Sequence, residues 1–223
     1  MGDNPTVAVR GEANREVDPE LAQITITVEA RDKDRETTLA RLQERAEALR
    51  ALLDRYAEAI ERRETTGVRI WPDTKRAGER VTAYRAAVST AVTVHDFTVL
   101  GDLITQAAAM EQTSVFGPNW SLRPDSPVYR EARQAAIGDA LTRAREYAQA
   151  LGAQPMRLVE LADTGLSSTG PVASGQVRAL GFAGDAGGAP ALSLDPQRQL
   201  VYAAVEARFV ITEPTVLGGG APA

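Results

Sequence analysis

Ala22-Gln23-Ile24-Thr25-Ile26-Thr27-Val28-Glu29-Ala30 places five apolar side chains on one face of an extended strand and polar ones on the other. One wet face predicts an antiparallel sheet covered on a single side, because the strands of a parallel α/β fold are buried on both. Upstream, Val7 and Val9 alternate before Gly11 and give a first strand. Downstream, Asp32 or Asp34 is placed to cap a helix. That helix carries Leu39, Leu42, Ala46, Leu49, Leu53, Tyr56 and Ile60 at three- and four-residue intervals, and its charged residues read as the solvated side. The spacing predicts a helix of about 25 residues. Val68, Ile70 and Trp71 then read as a short strand closed by Pro72. Tyr84, Ala86, Val88, Val92 and Val94 predict the longest strand of the chain, after which Asp96 caps a second helix with Leu100, Leu103, Ile104 and Ala107 inward. Gly101 within that helix predicts a close backbone approach.

Val115–Leu122 reads as another strand, and Ser126-Pro127 starts a third helix with proline at its first position. Ala132, Ala136, Ala140, Ala144 and Ala148 form a stripe of small residues on it, so it should lie unusually close to its neighbour; Gly152 and Pro155 stop it. Met156, Leu158 and Leu161 suggest a further strand, and Val201, Ala203, Val205, Ala207, Phe209 and Ile211 a strong last one. The order β-β-α-β-β-α-β-α-β-β, with antiparallel hairpins available at both ends, predicts an α+β fold. It is read as a mainly antiparallel sheet with three helices packed on one face. Residues 5–212 read as a single domain with a long glycine-rich loop at 165–194, expected to be mobile in a monomer or ordered against another subunit, and 213–223 as a loose C-terminal tail.

Composition removes many activities. The 223 residues carry 25 Lys plus Arg against 30 Asp plus Glu, a net charge of −5, which disfavours nucleic acid as a partner. No apolar run is long enough to span a bilayer. The chain has no cysteine, hence neither disulfides nor thiolate chemistry, and a single histidine, His95, read as a strand-end residue rather than a catalytic base. Lys33 and Lys75 sit in polar connections, unsuited to a buried reactive amine. Glu16, Asp18 and Glu20 lie close in sequence in what reads as a solvated turn, which keeps a carboxylate-only hydrolase as a third-ranked reading. No catalytic residue, metal ligand or cofactor is expected. The start of the chain lacks the charged-then-apolar pattern of an export signal and predicts a cytoplasmic protein, with export and removal of a signal as the alternative. Trp71, Trp120, Leu180 and Phe182 are the candidate interaction or pocket residues; the two tryptophans and Phe182 would line a small-ligand pocket under the glycine-rich loop.

The chain resembles the SIMPL-domain family, whose bacterial members include periplasmic immunogenic proteins and oxidative-stress defence factors. The resemblance is carried by Val7-Ala8-Val9-Arg10-Gly11, by Pro19-Glu20-Leu21-Ala22 and by Tyr84-Arg85-Ala86. The most specific part is the helix with Ala132-Arg133, Ala136, Asp139-Ala140, Arg143-Ala144, Tyr147-Ala148 and Leu151-Gly152, and the final strand after Leu194 fits as well. It implies an α+β domain, frequent self-assembly into rings or larger oligomers, and no established catalytic residues. The expected function is therefore that of a non-catalytic, self-assembling interaction module, with a link to stress as one setting and a small-ligand binder as the alternative.

Overall fold

The computed structural model describes residues 4–74, 81–164, 192 and 194–216. The opening stretch lies within β2 (Leu21–Asp32), where Ala22, Ile24, Ile26, Val28 and Ala30 are almost completely buried. Around it the chain forms β1 (Thr6–Val17), α1 (Arg35–Asp54), β3 (Ile60–Thr74), β4 (Val81–Val94), α2 (Leu100–Ala108), β5 (Thr113–Ser121), α3 (Pro127–Ala150), β6 (Pro155–Asp163) and β7 (Gln199–Ile211). The element order is the expected one and the fold is α+β with antiparallel pairing throughout.

The strands divide between two sheets, and the contacts divide into two compact units along the same line. One unit holds the four-stranded sheet β3-β4-β2-β5 with α1 and α2; the other holds the three-stranded sheet β1-β7-β6 with α3. The N-terminal hairpin does not form, because β1 pairs with β7 over twelve consecutive residues, from Thr6 opposite Val210 to Val17 opposite Gln199. At the other end β6 and β7 do pair.

In the four-stranded unit, the apolar faces of β2 and β4 meet Leu42, Leu49, Leu52 and Leu53 of α1 and Leu100, Leu103 and Ala107 of α2. Asp34 is the N-cap of α1, accepting from the Thr37 amide at 2.8 Å. The helix stops after 20 residues rather than about 25. The Arg55 amide closes back on the carbonyls of Leu52 and Leu53, Tyr56 leaves helical geometry, and Ile60 joins β3 opposite Val94. Helical spacing at Tyr56 and Ile60 is thus overridden by strand pairing.

β3 is also longer than expected, at 15 residues against 14 in β4, and it runs through Pro72 instead of ending there. As an outer strand it can place the missing proline donor on its unpaired side. Asp96 caps a short 3-10 turn, Phe97–Val99, that leads into α2. A Cβ on Gly101 would stand 2.2 Å from the Leu192 carbonyl oxygen, the close approach its position predicted.

Candidate functional site

The stripe Ala132, Ala136, Ala140, Ala144 and Ala148 is almost completely buried, and it seats α3 on a strand. A Cβ on Gly11 of β1 would lie 2.1 Å from the Ala136 carbonyl oxygen and 2.5 Å from the Ala140 nitrogen. Helix and strand therefore touch backbone to backbone, which only glycine opposite alanine permits. Val9, Val205, Ala207 and Phe209 fill the remaining space between α3 and the strands β1 and β7.

That off-centre seat leaves β6 bare. Met156 is 67% exposed, and Leu158, Val159 and Leu161 are each 47% exposed, all on an outer strand with one free edge. A cavity of about 310 Å³ runs between α3 and β6, with Leu141, Met156, Leu158 and Phe209 in its lining and the exposed guanidinium-bearing Arg145 and Arg157 beside them. An outer strand with exposed apolar residues offers an unfilled row of backbone donors and acceptors together with apolar surface for whatever pairs with it.

The opposite edge is finished differently. The Glu12 amide of β1 donates to Asp139 Oδ2 of α3 at 2.9 Å, and Arg143, one turn on, holds the same oxygen at 2.9 Å. On the sheet face away from α3, Arg10 meets Glu12 at 2.8 Å and donates to the Tyr202 hydroxyl at 2.9 Å, which in turn donates to Glu12 at 3.0 Å. The bond to Tyr202 holds the Arg10 pKa above its ordinary value. Arg208 lies 3.8 Å from Glu160 on the same face. A cavity of about 330 Å³ beside these groups has Arg10, Glu160 and Arg208 in its lining; the Arg208–Glu160 pair ties β7 to β6, and the Tyr202 hydroxyl ties β7 to β1.

The two tryptophans occupy diagonally opposite corners of the four-stranded sheet. Trp120 faces Ala22 of β2, whereas Trp71 faces Arg85 of β4, which faces Arg31 of β2. That is about 14 Å across the strands and about 30 Å along them. Trp120 packs edge-on against Phe97, centroids 4.9 Å apart, and Trp71 lies under Arg69 at 5.8 Å. A pocket shared by Trp71 and Trp120 does not form, because two strands separate the ones that carry them. Leu180 and Phe182 lie outside the described residues, as does nearly all of the glycine-rich loop 165–194. His95 is exposed at the end of β4, its amide bonded to the Ala59 carbonyl. Glu16 is the last but one residue of β1, Asp18 meets Arg198 at 3.2 Å and Glu20 accepts the Arg123 amide at 2.8 Å. Among the described residues no group of three or more His, Asp or Glu side chains is placed to hold a metal ion, and no helix is long and apolar enough to cross a membrane.

Sequence reasoning identified β6 as a strand but not its exposure, and it passed over Asp139. The available signals were a strand apolar on both faces at Leu158-Val159 and an Asp–Arg pair at helical spacing on the alanine-rich helix.

Four carboxyl groups of the four-stranded unit are held below the usual carboxylate range. The Thr37 amide acts on Asp34, Arg31 on Asp73, the Thr98 hydroxyl on Asp96 and the Tyr56 hydroxyl on Asp102. The unfolded chain takes up these protons first, so their contribution is complete above the ordinary carboxylate pKa of about 4 and fades as the pH falls through the lower folded values. Acid titration should accordingly weaken this unit below about pH 4. Both tryptophans of the chain belong to it, so their fluorescence reports the transition; a midpoint temperature constant throughout that range would contradict the assignment.

The sequence model of SIMPL, described as a protein of unknown function, matches residues 7–209. The chain belongs to the SIMPL family. The SIMPL match starts in β1 and ends in β7, so both units fall within it. Among curated proteins, the 26 kDa periplasmic immunogenic proteins of Brucella melitensis biotype 1 and of Brucella abortus strain S19 are each 27% identical over 187 residues. Each alignment covers 78% of this chain and 73% of the relative. Both relatives are periplasmic by name, and the expectation of a cytoplasmic SIMPL protein finds no support in them. A solved structure, a "putative amidohydrolase/peptidase from Burkholderia cenocepacia", is 15% identical with a TM-score of 0.30. The likeness covers 59% of this chain and 34% of that one, too little to carry an argument.

Proposed function

We propose that this chain is a non-catalytic interaction module that assembles with a second copy of itself along the β6 edge, and that it does so in the periplasm. The observation that carries the reading is the bare outer strand: Met156, Leu158, Val159 and Leu161, all about half exposed or more, beside an open groove. Antiparallel pairing of two β6 strands covers these residues, extends each three-stranded sheet across the interface and brings the Arg157 end of one strand to the Asp163 end of the other. The names of the Brucella proteins support the periplasmic setting.

Light scattering of the full chain over a range of concentrations tests the assembly. The expected result is a reversible two-copy species that Leu158→Lys weakens by about tenfold or more, since an ammonium replaces apolar surface within the contact. Leu158 is half exposed in the single copy, so the variant should keep the wild-type circular dichroism spectrum. A strict monomer at high concentration removes the reading.

A further inference from the structure

We infer that Asp139 is the residue that decides which sheet edge is used, by closing the β1 edge against strand addition. The inference rests on the assembly reading above and concerns its direction. Four strands are outermost in the two sheets, and three of them, β3, β5 and β6, pair with at least one register irregularity. β1 has none over twelve residues and is the most regular edge in the described chain. By the logic of strand pairing it should be the most adhesive, because irregularities twist an edge away from an incoming strand and a regular edge presents an unbroken template.

The structure shows how that template is interrupted. In an antiparallel pair the peptide groups of alternate residues point toward the partner strand and those between them point away. The Glu12 amide donates to Asp139 at 2.9 Å, so it points away from β7, at the middle of the free edge. Asp139 reaches it from α3, and the Arg143 guanidinium fixes the carboxylate at 2.9 Å. The arrangement depends on the Gly11 contact, which brings the helix backbone onto β1 and hence its side chains to the edge. One small-residue seat thus does two things: it sets Asp139 against the β1 edge and withdraws cover from β6. A strand arriving at β1 would have to displace a charge-assisted hydrogen bond, whereas among the described residues no side chain is bonded at the free edge of β6. Pairing through β6 alone is the same patch on both copies and closes at two. Pairing of β6 to β1 is head-to-tail and continues.

Sedimentation velocity of the full chain tests this with Asp139→Ala, Asp139→Asn and Arg143→Ala. The asparagine amide oxygen still accepts the Glu12 amide but loses the charge and the Arg143 pair, so Asp139→Asn should fall between the wild type and Asp139→Ala. Asp139→Ala should shift material into species larger than two copies at the same concentration, and Arg143→Ala should shift less. Amide hydrogen exchange at Glu12 should quicken at least tenfold in Asp139→Ala and by less in Asp139→Asn. If Asp139→Ala does not fold, Arg143→Ala decides by the same two readouts. A size distribution in Asp139→Ala identical to that of an assembling wild type overturns the inference and leaves the β6 reading standing. A wild-type monomer removes the β6 reading; in that case larger species in Asp139→Ala still support the gate, and a monomeric Asp139→Ala overturns it too.

Discussion

Gly11→Ala lowers the melting temperature of the three-stranded unit by roughly 8 °C or more, and this is among the largest effects expected of any single methyl group in the chain. The added carbon would stand 2.1 Å from the Ala136 carbonyl oxygen, 2.5 Å from the Ala140 nitrogen and 2.7 Å from the Ala140 Cβ. Two of the three atoms are backbone in the middle of a 24-residue helix, so no side chain can rotate out of the way. The helix must back off, opening its contacts with Val9, Val205, Ala207 and Phe209. Overpacking against backbone that cannot rotate away lies at the upper end of the usual range, about 3 kcal/mol. Alanine gains roughly 0.5–1 kcal/mol over glycine within a strand, which offsets only part of that. The remaining ~2 kcal/mol corresponds to roughly 8–16 °C in a unit of about a hundred residues. Far-UV circular dichroism follows the loss, while tryptophan fluorescence, confined to the other unit, stays at its wild-type midpoint. A variant that melts with the wild type on both probes would show that α3 is not seated as described.

Ile26→Ala produces the converse pattern, an early tryptophan transition. Ile26 has no exposed surface and sits at the centre of β2, with Thr90 of β4 on one side and Val115 of β5 on the other. Strands flank it on both sides and Leu-rich helices close the face, so the neighbourhood cannot collapse into the space left behind. Truncations at such sites cost about 2–5 kcal/mol. Leu158→Ala removes similar chemistry from a strand residue that is already half exposed, so it should leave the melting of a single copy nearly unchanged. Equal destabilisation by the two truncations would mean that burial does not distinguish them.

The element order was legible because alternation in β2, β4 and β7 and the apolar and alanine stripes of α1 and α3 are local signals with different periods. The division into two sheets was not, since it is decided by which strands pair. β1 and β2 follow one another with a short polar link, yet each finds its partner far along the chain. Glu61-Arg62-Arg63-Glu64 carries no apolar alternation, and it is strand only because β4 lies alongside. Trp71 and Trp120 carried the pocket reading on residue type alone, and the sheet order places them apart. The bare β6 edge was hidden for a further reason. Exposure there follows from where α3 settles, and that is set at Gly11, far away in sequence.

The place of β7 at the centre of its sheet has a consequence for synthesis. β1 leaves the ribosome before the other elements, but the strand that receives its hydrogen bonds is made after them all, and β6 meets β1 only through that same strand. The four-stranded sheet, with all its strands encoded in between, can close while translation continues. A nascent chain that lacks β7 therefore displays two unsatisfied strands, a species that chaperones and proteases would meet whenever elongation stalls.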